Sequence, residues 1–174
     1  RGVTGTEIEA ELRRTWRETQ EPALDAHRKG LLLEQTMALL FRNIPGLTNV
    51  TLRRRGPAEE FDVVVRNESL DPILAREGSF LLVECKNWRA KVGAPELTQF
   101  RDKLRLGGQR MRTGLLVGLG GFTQDAWTRL AHVAEQPFLI LLLDRDDLDG
   151  WIAAADRLGW LKGKIEAATL RASS

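Results

Sequence analysis

The chain is 174 residues long with a formal net charge of +2 at neutral pH; 43% of it is apolar and 29% charged, a balance that suits one globular domain with a substantial core. No stretch approaches the roughly 18 consecutive apolar residues that a membrane span needs, and no basic-then-apolar leader opens the sequence. A single cysteine excludes an internal disulfide and points to a reducing, cytoplasmic compartment.

The first residue is Arg1 rather than Met, so the sequence is expected to be one piece of a longer protein. Ile8, Leu12 and Trp16 recur at helical spacing in a charged stretch and predict a helix over 6–21, interrupted by Pro22. A second helix is expected over 24–43, closed by Pro45-Gly46. Three strand-like runs follow at 49–54, 60–66 and 79–88, rich in Val, Leu, Thr and Phe and separated by Gly56-Pro57 and the polar stretch 67–78. A helix begins near Pro95, with Leu97, Phe100 and Leu104 toward the core. Residues 113–119 read as a buried strand. Residues 123–135 read as an amphipathic helix with Thr123 at its N-cap, and 138–143 as a second buried strand. Residues 148–171 are expected to form two helices broken at Gly159. The order implies an α/β fold: a mixed central sheet flanked by helices, with parallel connections through the last two inter-strand helices.

The chemistry concentrates around Phe80-Leu81-Leu82-Val83-Glu84-Cys85-Lys86-Asn87-Trp88. Strand alternation sends Glu84 and Lys86 to one side and Leu81, Val83 and Cys85 to the other. Asp62 interrupts a second apolar, β-branched run, where a charge is costly unless something pairs with it. Phosphodiester hydrolysis uses such a set. Carboxylates hold Mg²⁺ or Mn²⁺, which offsets the phosphate charge and acidifies a bound water, while an ammonium orients the nucleophile or stabilises developing charge. On the residues alone an alternative stands, with Glu84 and Lys86 an ordinary same-face salt bridge and Asp62 a turn residue.

Taken in order, Lys29-Gly30-Leu31-Leu32-Leu33-Glu34, Glu60-Phe61-Asp62, Glu84-Cys85-Lys86-Asn87-Trp88, Val92-Gly93 with the helix from Pro95, and Gly121-Phe122-Thr123-Gln124-Asp125-Ala126 resemble the Mrr-like branch of the PD-(D/E)XK nucleases. The resemblance implies a restriction-endonuclease-like core of helix, three strands, helix and strand, with extra N- and C-terminal helices. It implies Asp62 and Glu84 as metal ligands and Lys86 as a catalytic group, with Glu34 supporting the metal site or a second ion. It places Gln99 facing the active site. Lys103, one turn later, shares its face and is a candidate for the DNA backbone. For Glu34 a surface helix acid, and for Gln99 and Lys103 a solvated helix face, are the competing readings. Phe61 stands where the superfamily has its proline, and Glu84 where many Mrr relatives have Gln. The division expected is 1–22 as a helix or linker from an upstream domain, 23–145 as the nuclease core and 146–174 as a helical extension. The implied activity is metal-dependent DNA endonucleolysis in defence against foreign DNA or in repair, by a homodimer or a larger multidomain protein.

Basic side chains outnumber acidic ones over residues 44–112, which suits a phosphate-bearing partner. Arg53 and Arg55 share a strand face and are candidates for phosphate contact, an exposed strand edge being the alternative. Trp88 is the one tryptophan considered for nucleic-acid contact. Gly118-Leu119-Gly120-Gly121 lacks the third glycine of a dinucleotide-binding turn, Thr123 standing in its place, and reads as a tight turn. His27 and His132 have no metal-ligand spacing, and Cys85 has no histidine partner in a recognisable motif. Two other readings remain open: a nuclease fold kept for DNA binding or assembly, and an effector held silent until an attached sensor domain signals.

Overall fold

A computed structural model describes residues 5–55, 60–133 and 138–172, the side chains of 53–55, 60, 109, 133 and 172 apart. Its sheet has five strands in the order β1 (Leu47–Arg55), β2 (Glu60–Asn67), β3 (Phe80–Lys86), β4 (Thr113–Gly118) and β5 (Leu139–Leu143). β1, β2 and β3 pair antiparallel, and β3, β4 and β5 pair parallel. The helices are α1 (Gly5–Glu18), α2 (Ala26–Arg42), α3 (Ala94–Gly107), α4 (Gln124–Val133), α5 (Arg145–Ala153) and α6 (Arg157–Ala172). The two parallel connections run through α3 and α4, as the element order predicts. Among the described residues no helix is long and apolar enough to cross a membrane.

Alternation along the strands sorts the apolar side chains into two cores. Val63, Val65, Leu81, Val83, Leu115, Val117, Leu141 and Leu143 face α1, α2, α5 and α6. Val64, Leu82, Leu116, Ile140 and Leu142 face α3 and α4, meeting Leu97, Phe100, Leu104 and Ala126. The central strands are therefore apolar on both sides, as a sheet covered on both faces requires. α3 sits so close to β4 that a Cβ on Gly114 would lie 2.6 Å from the Phe100 ring, so glycine sets the depth to which Phe100 inserts.

Local signals start most helices where expected. Asp25 accepts from Arg28 N at 2.8 Å and opens α2, and Thr123 Oγ1 accepts from Ala126 N at 3.1 Å and opens α4. The C-terminal region differs from expectation. α5 begins at Arg145 because Asp144 and Asp147 cap one another reciprocally, each accepting a backbone N–H at 3.0 Å. The break before α6 lies at residues 154–156, not at Gly159: Asp156 Oδ1 accepts from Gly159 N at 2.8 Å and starts the helix upstream of the glycine.

Trp151 ties the terminal helices to the core. It is fully buried, stacks on Trp160 at 4.9 Å, meets Phe41 edge-on at 5.5 Å and donates to Arg157 O at 3.1 Å. Arg157 in turn grips both carboxylate oxygens of Glu9 on α1, at 2.7 and 2.9 Å. Trp151→Ala should therefore cost about 3–5 kcal/mol. In urea, intrinsic fluorescence and far-UV circular dichroism should shift together to a lower midpoint; a separate minor transition, with the main one unmoved, would show that α5 and α6 unfold apart from the sheet.

Candidate active site

β2 and β3 pair in register from Arg66 opposite Phe80 to Val63 opposite Val83. One step further, that register sets Asp62 opposite Glu84. At this point the Cys85 N–H donates to the Asp62 carboxylate, at 2.7 Å to Oδ2. A side chain thus takes a ladder donor at the strand ends and leaves two acids side by side.

Glu84 lies on the α3 side of β3, in step with Leu82, and is 9% exposed. Both of its oxygens are engaged: Oε1 by Lys86 Nζ at 3.1 Å and Oε2 by Lys103 Nζ at 2.9 Å. Lys86 also sits over the Trp88 ring, 5.2 Å from its centroid, which restrains the ammonium. Asn87 Nδ2 donates to Lys29 O at 3.0 Å and so pins the end of β3 to the first turns of α2.

Asp62 is half-buried, and its carboxyl is pushed up to about 6. Burial is the main cause, followed by the charge of Glu84; the Cys85 N–H opposes the shift, Glu34 adds to it and Lys86 again opposes it. Glu34 belongs to α2 and is itself buried at 5% exposed, which removes the surface-acid reading. Burial, reinforced by Asp62, pushes the Cys85 thiol well above its ordinary range, so it is no nucleophile.

The structure thus brings together Asp62, Glu84, Lys86 and Lys103, with Glu34 within electrostatic reach. Among the described residues no ready-made group of three or more His, Cys, Asp or Glu surrounds a metal position; Glu34 acts on Asp62 through its charge from α2. Gln99 is exposed on α3, one turn before Lys103. Trp88 is 43% exposed beside Lys86. Arg53 and Arg55 lie in β1, but their side chains are outside the described residues. Sequence spacing missed the Lys103–Glu84 pair. The signal was the parity of Glu84 with Leu82, which turns Glu84 toward the helix whose buried stripe ends at Leu104 beside Lys103.

The family model described as a restriction endonuclease, the Mrr catalytic domain, matches residues 28–152. The chain belongs to the restriction endonuclease family. A similar fold occurs in the structure of the restriction endonuclease FokI bound to DNA, with a TM-score of 0.56 and 14% identity. The match covers 97% of this chain and 31% of that one, so the chain spans under a third of FokI's length. No curated protein matches. As a family member the chain carries a nuclease domain, with the restriction-endonuclease-like α/β fold expected from its motifs.

A carboxyl whose pKa is raised on folding holds its proton more tightly in the native state. Asp62 thus favours folding fully below about pH 4, and that contribution is lost as the pH rises to about 6. Above that range the buried charge destabilises the protein by about 2 kcal/mol. Asp62→Asn keeps an acceptor for the Cys85 N–H and removes the charge. Without metal it should raise Tm by about 5 °C at pH 8 and leave it unchanged at pH 4. Equal melting temperatures for the two proteins at pH 8 would mean that Asp62 is solvated like an ordinary carboxylate.

Proposed function

We propose that this domain is a divalent-metal-dependent endonuclease that hydrolyses DNA phosphodiester bonds, in defence against foreign DNA or in repair. The observation that carries this reading is the Asp62–Glu84 pair, two carboxylates held side by side with Lys86 and Lys103 on Glu84. The pair suits a hard cation: its donors are oxygens, and Mg²⁺ or Mn²⁺ takes one or two protein carboxylates, with water and phosphate oxygens in the other positions. When bound, the ion supplies charge neutralisation of the phosphate and a more acidic water.

The chain's own residues do the rest. Asp62 and Glu84 fix the register of the site on two strands. Lys86, restrained by Trp88 and tied to Glu84, stands where it can orient the attacking water and stabilise the charge that builds on the phosphate oxygens. Lys103 holds the other Glu84 oxygen against β3 and adds a second positive charge facing an anionic substrate. Glu34 supports the site through its charge from α2. Gln99, exposed one turn from Lys103, would contact the strand being cut. DNA is favoured as substrate by the family and by the DNA-bound state of FokI. Residues 23–145 are assigned as the catalytic core, acting as a homodimer or within a larger cytoplasmic protein.

One observation favours a second reading, a nuclease fold that binds DNA without cutting it. Both oxygens of Glu84 already have ammonium partners, as in a purely structural ion-pair network. Plasmid and single-stranded DNA incubated with Mg²⁺ or Mn²⁺ separate the two. Wild type should nick or linearise DNA, EDTA should stop it, and Lys86→Ala should slow it by a factor of about 10²–10³. No cutting by wild type would leave the binding module as the better account, and equal cutting by both proteins would remove Lys86 from the chemistry.

A further inference from the structure

The parallel half of the sheet ends in a second, unassigned cavity of about 300 Å³, near the lower size limit of small-molecule sites. It opens beyond the carboxyl ends of β3, β4 and β5, where ligands collect in open α/β sheets because the chain leaves the strands in opposite directions. Trp88 and Arg89 line it from the segment after β3, Gly120 from the turn after β4, Arg145 from the start of α5, and Lys29 from α2.

Its charge is one-sided. Among the described residues no Asp or Glu lines it, and Lys29, Arg89 and Arg145 take part in no ion pair. Lys29 Nζ donates to the Pro22 carbonyl at 3.4 Å, and Arg145 Nη1 donates to the neutral Gln20 Oε1 at 2.6 Å. Uncompensated cations around a concave surface focus positive potential into it.

Its walls are pinned by backbone. Leu119 N donates to Lys86 O at 3.1 Å, Val92 N to Gly121 O at 2.9 Å and Thr123 N to Val92 O at 3.0 Å, zipping the segment after β3 to the turn after β4. A Cβ on Gly120 would run into the carbonyls of Arg89 and Ala90, so glycine is what permits this approach. The glycine-rich turn that fails as a dinucleotide fingerprint therefore has a different use, as one wall of the cavity. Trp88 joins the cavity to the active site, because the same ring carries Lys86 at 5.2 Å.

We propose that this cavity seats a nucleotide adjoining the scissile phosphodiester, its phosphate held by Lys29, Arg89 and Arg145 and its base laid against Trp88. The assignment rests on the nuclease reading of the neighbouring carboxylates for its place along the strand. The pairing of cationic groups with an exposed aromatic face is the chemistry by which single-stranded nucleic acid is held without sequence readout.

The test uses a fluorescein-labelled single-stranded DNA 12-mer in EDTA, with anisotropy read over a salt series. It compares wild type, Arg89→Ala, Arg89→Ala/Arg145→Ala and Lys91→Ala; Arg89 and Lys91 are exposed, and Lys91 does not line the cavity. Thymidine 5′-monophosphate, followed by intrinsic tryptophan fluorescence, separates capture of a single nucleotide from capture of a strand. The double variant should bind the 12-mer about tenfold or more weakly, with a salt slope shallower by about 0.7 for each phosphate no longer neutralised, and Lys91→Ala should stay within about twofold of wild type. Equal losses in Lys91→Ala and Arg89→Ala would overturn the cavity as a site. DNA cutting by wild type, with pocket variants unchanged in affinity and KM, would overturn the cavity and leave the nuclease reading intact. Pocket-dependent binding of oligonucleotide or nucleotide by a protein that cuts nothing with Mg²⁺ or Mn²⁺ would uphold the cavity and remove the nuclease reading.

Discussion

Two carboxylates facing one another at the end of the β2–β3 ladder repel each other, and the surrounding structure is arranged around that repulsion. Burial and Glu84 push Asp62 up to about 6, and neither acid can relax by turning outward. Cys85 N–H fastens one to the backbone, while Lys86 and Lys103 fasten the other. An arrangement selected for stability alone would replace such groups with apolar ones, since buried ion pairs gain little over well-packed hydrophobes. Persistent local cost of this kind is what pre-organised catalytic sites carry.

The two-sided core makes the cost tolerable. β3 lies at the middle of five strands, with Leu81 and Val83 packed toward α2 and Leu82 toward α3. Toward the end of the strand this cover thins: Glu84 is still buried but Cys85 and Lys86 are only partly so, and the charges sit at that margin. The sheet also changes character at β3, antiparallel on one side and parallel on the other. Asp62 therefore reaches the site through the antiparallel pairing of β2 with β3. Lys103 reaches it through the helix that returns the chain for the parallel strand, and a substrate bound there would touch both halves of the fold.

What the sequence reveals follows the range of each signal. The parity of β3 is legible because a two-residue period needs no knowledge of neighbouring elements, and Asp62 stands out because a charge beside Val63, Val64 and Val65 is costly in a strand, although the residues alone leave a turn position open. The Lys103–Glu84 pair is not legible in that way: it depends on how far α3 rotates as Phe100 settles over Gly114, which is a tertiary outcome. Glu34 is ambiguous for a related reason. Nearly every residue from Leu32 to Phe41 is buried, so the helix offers no polar stripe from which to tell an outward acid from an inward one. The misplaced break at Gly159 has a local cause, since an Asp three residues upstream caps the helix and outweighs a glycine's reluctance to enter it.

Net charge conceals the feature most relevant to an anionic partner. A balance of +2 looks neutral because the acids and bases are counted together, yet they are unevenly paired in space. Lys86 and Lys103 are engaged inside the site on Glu84, and Arg157, Lys162 and Lys164 are paired with Glu9, Asp71 and Asp147. Among the described residues Lys29, Arg89 and Arg145 have no such acidic partners, and they converge on one cavity at the carboxyl ends of the parallel strands. The connectivity explains the convergence: consecutive parallel strands end at the same edge of the sheet, so the residues that follow β3, β4 and β5 meet there despite their separation in sequence. Glu84 and Lys86 end β3 at that edge, and Asp62 lies beside them on β2. A single strand of nucleic acid laid along it would meet paired charges at the site of chemistry and unpaired positive charge just beyond.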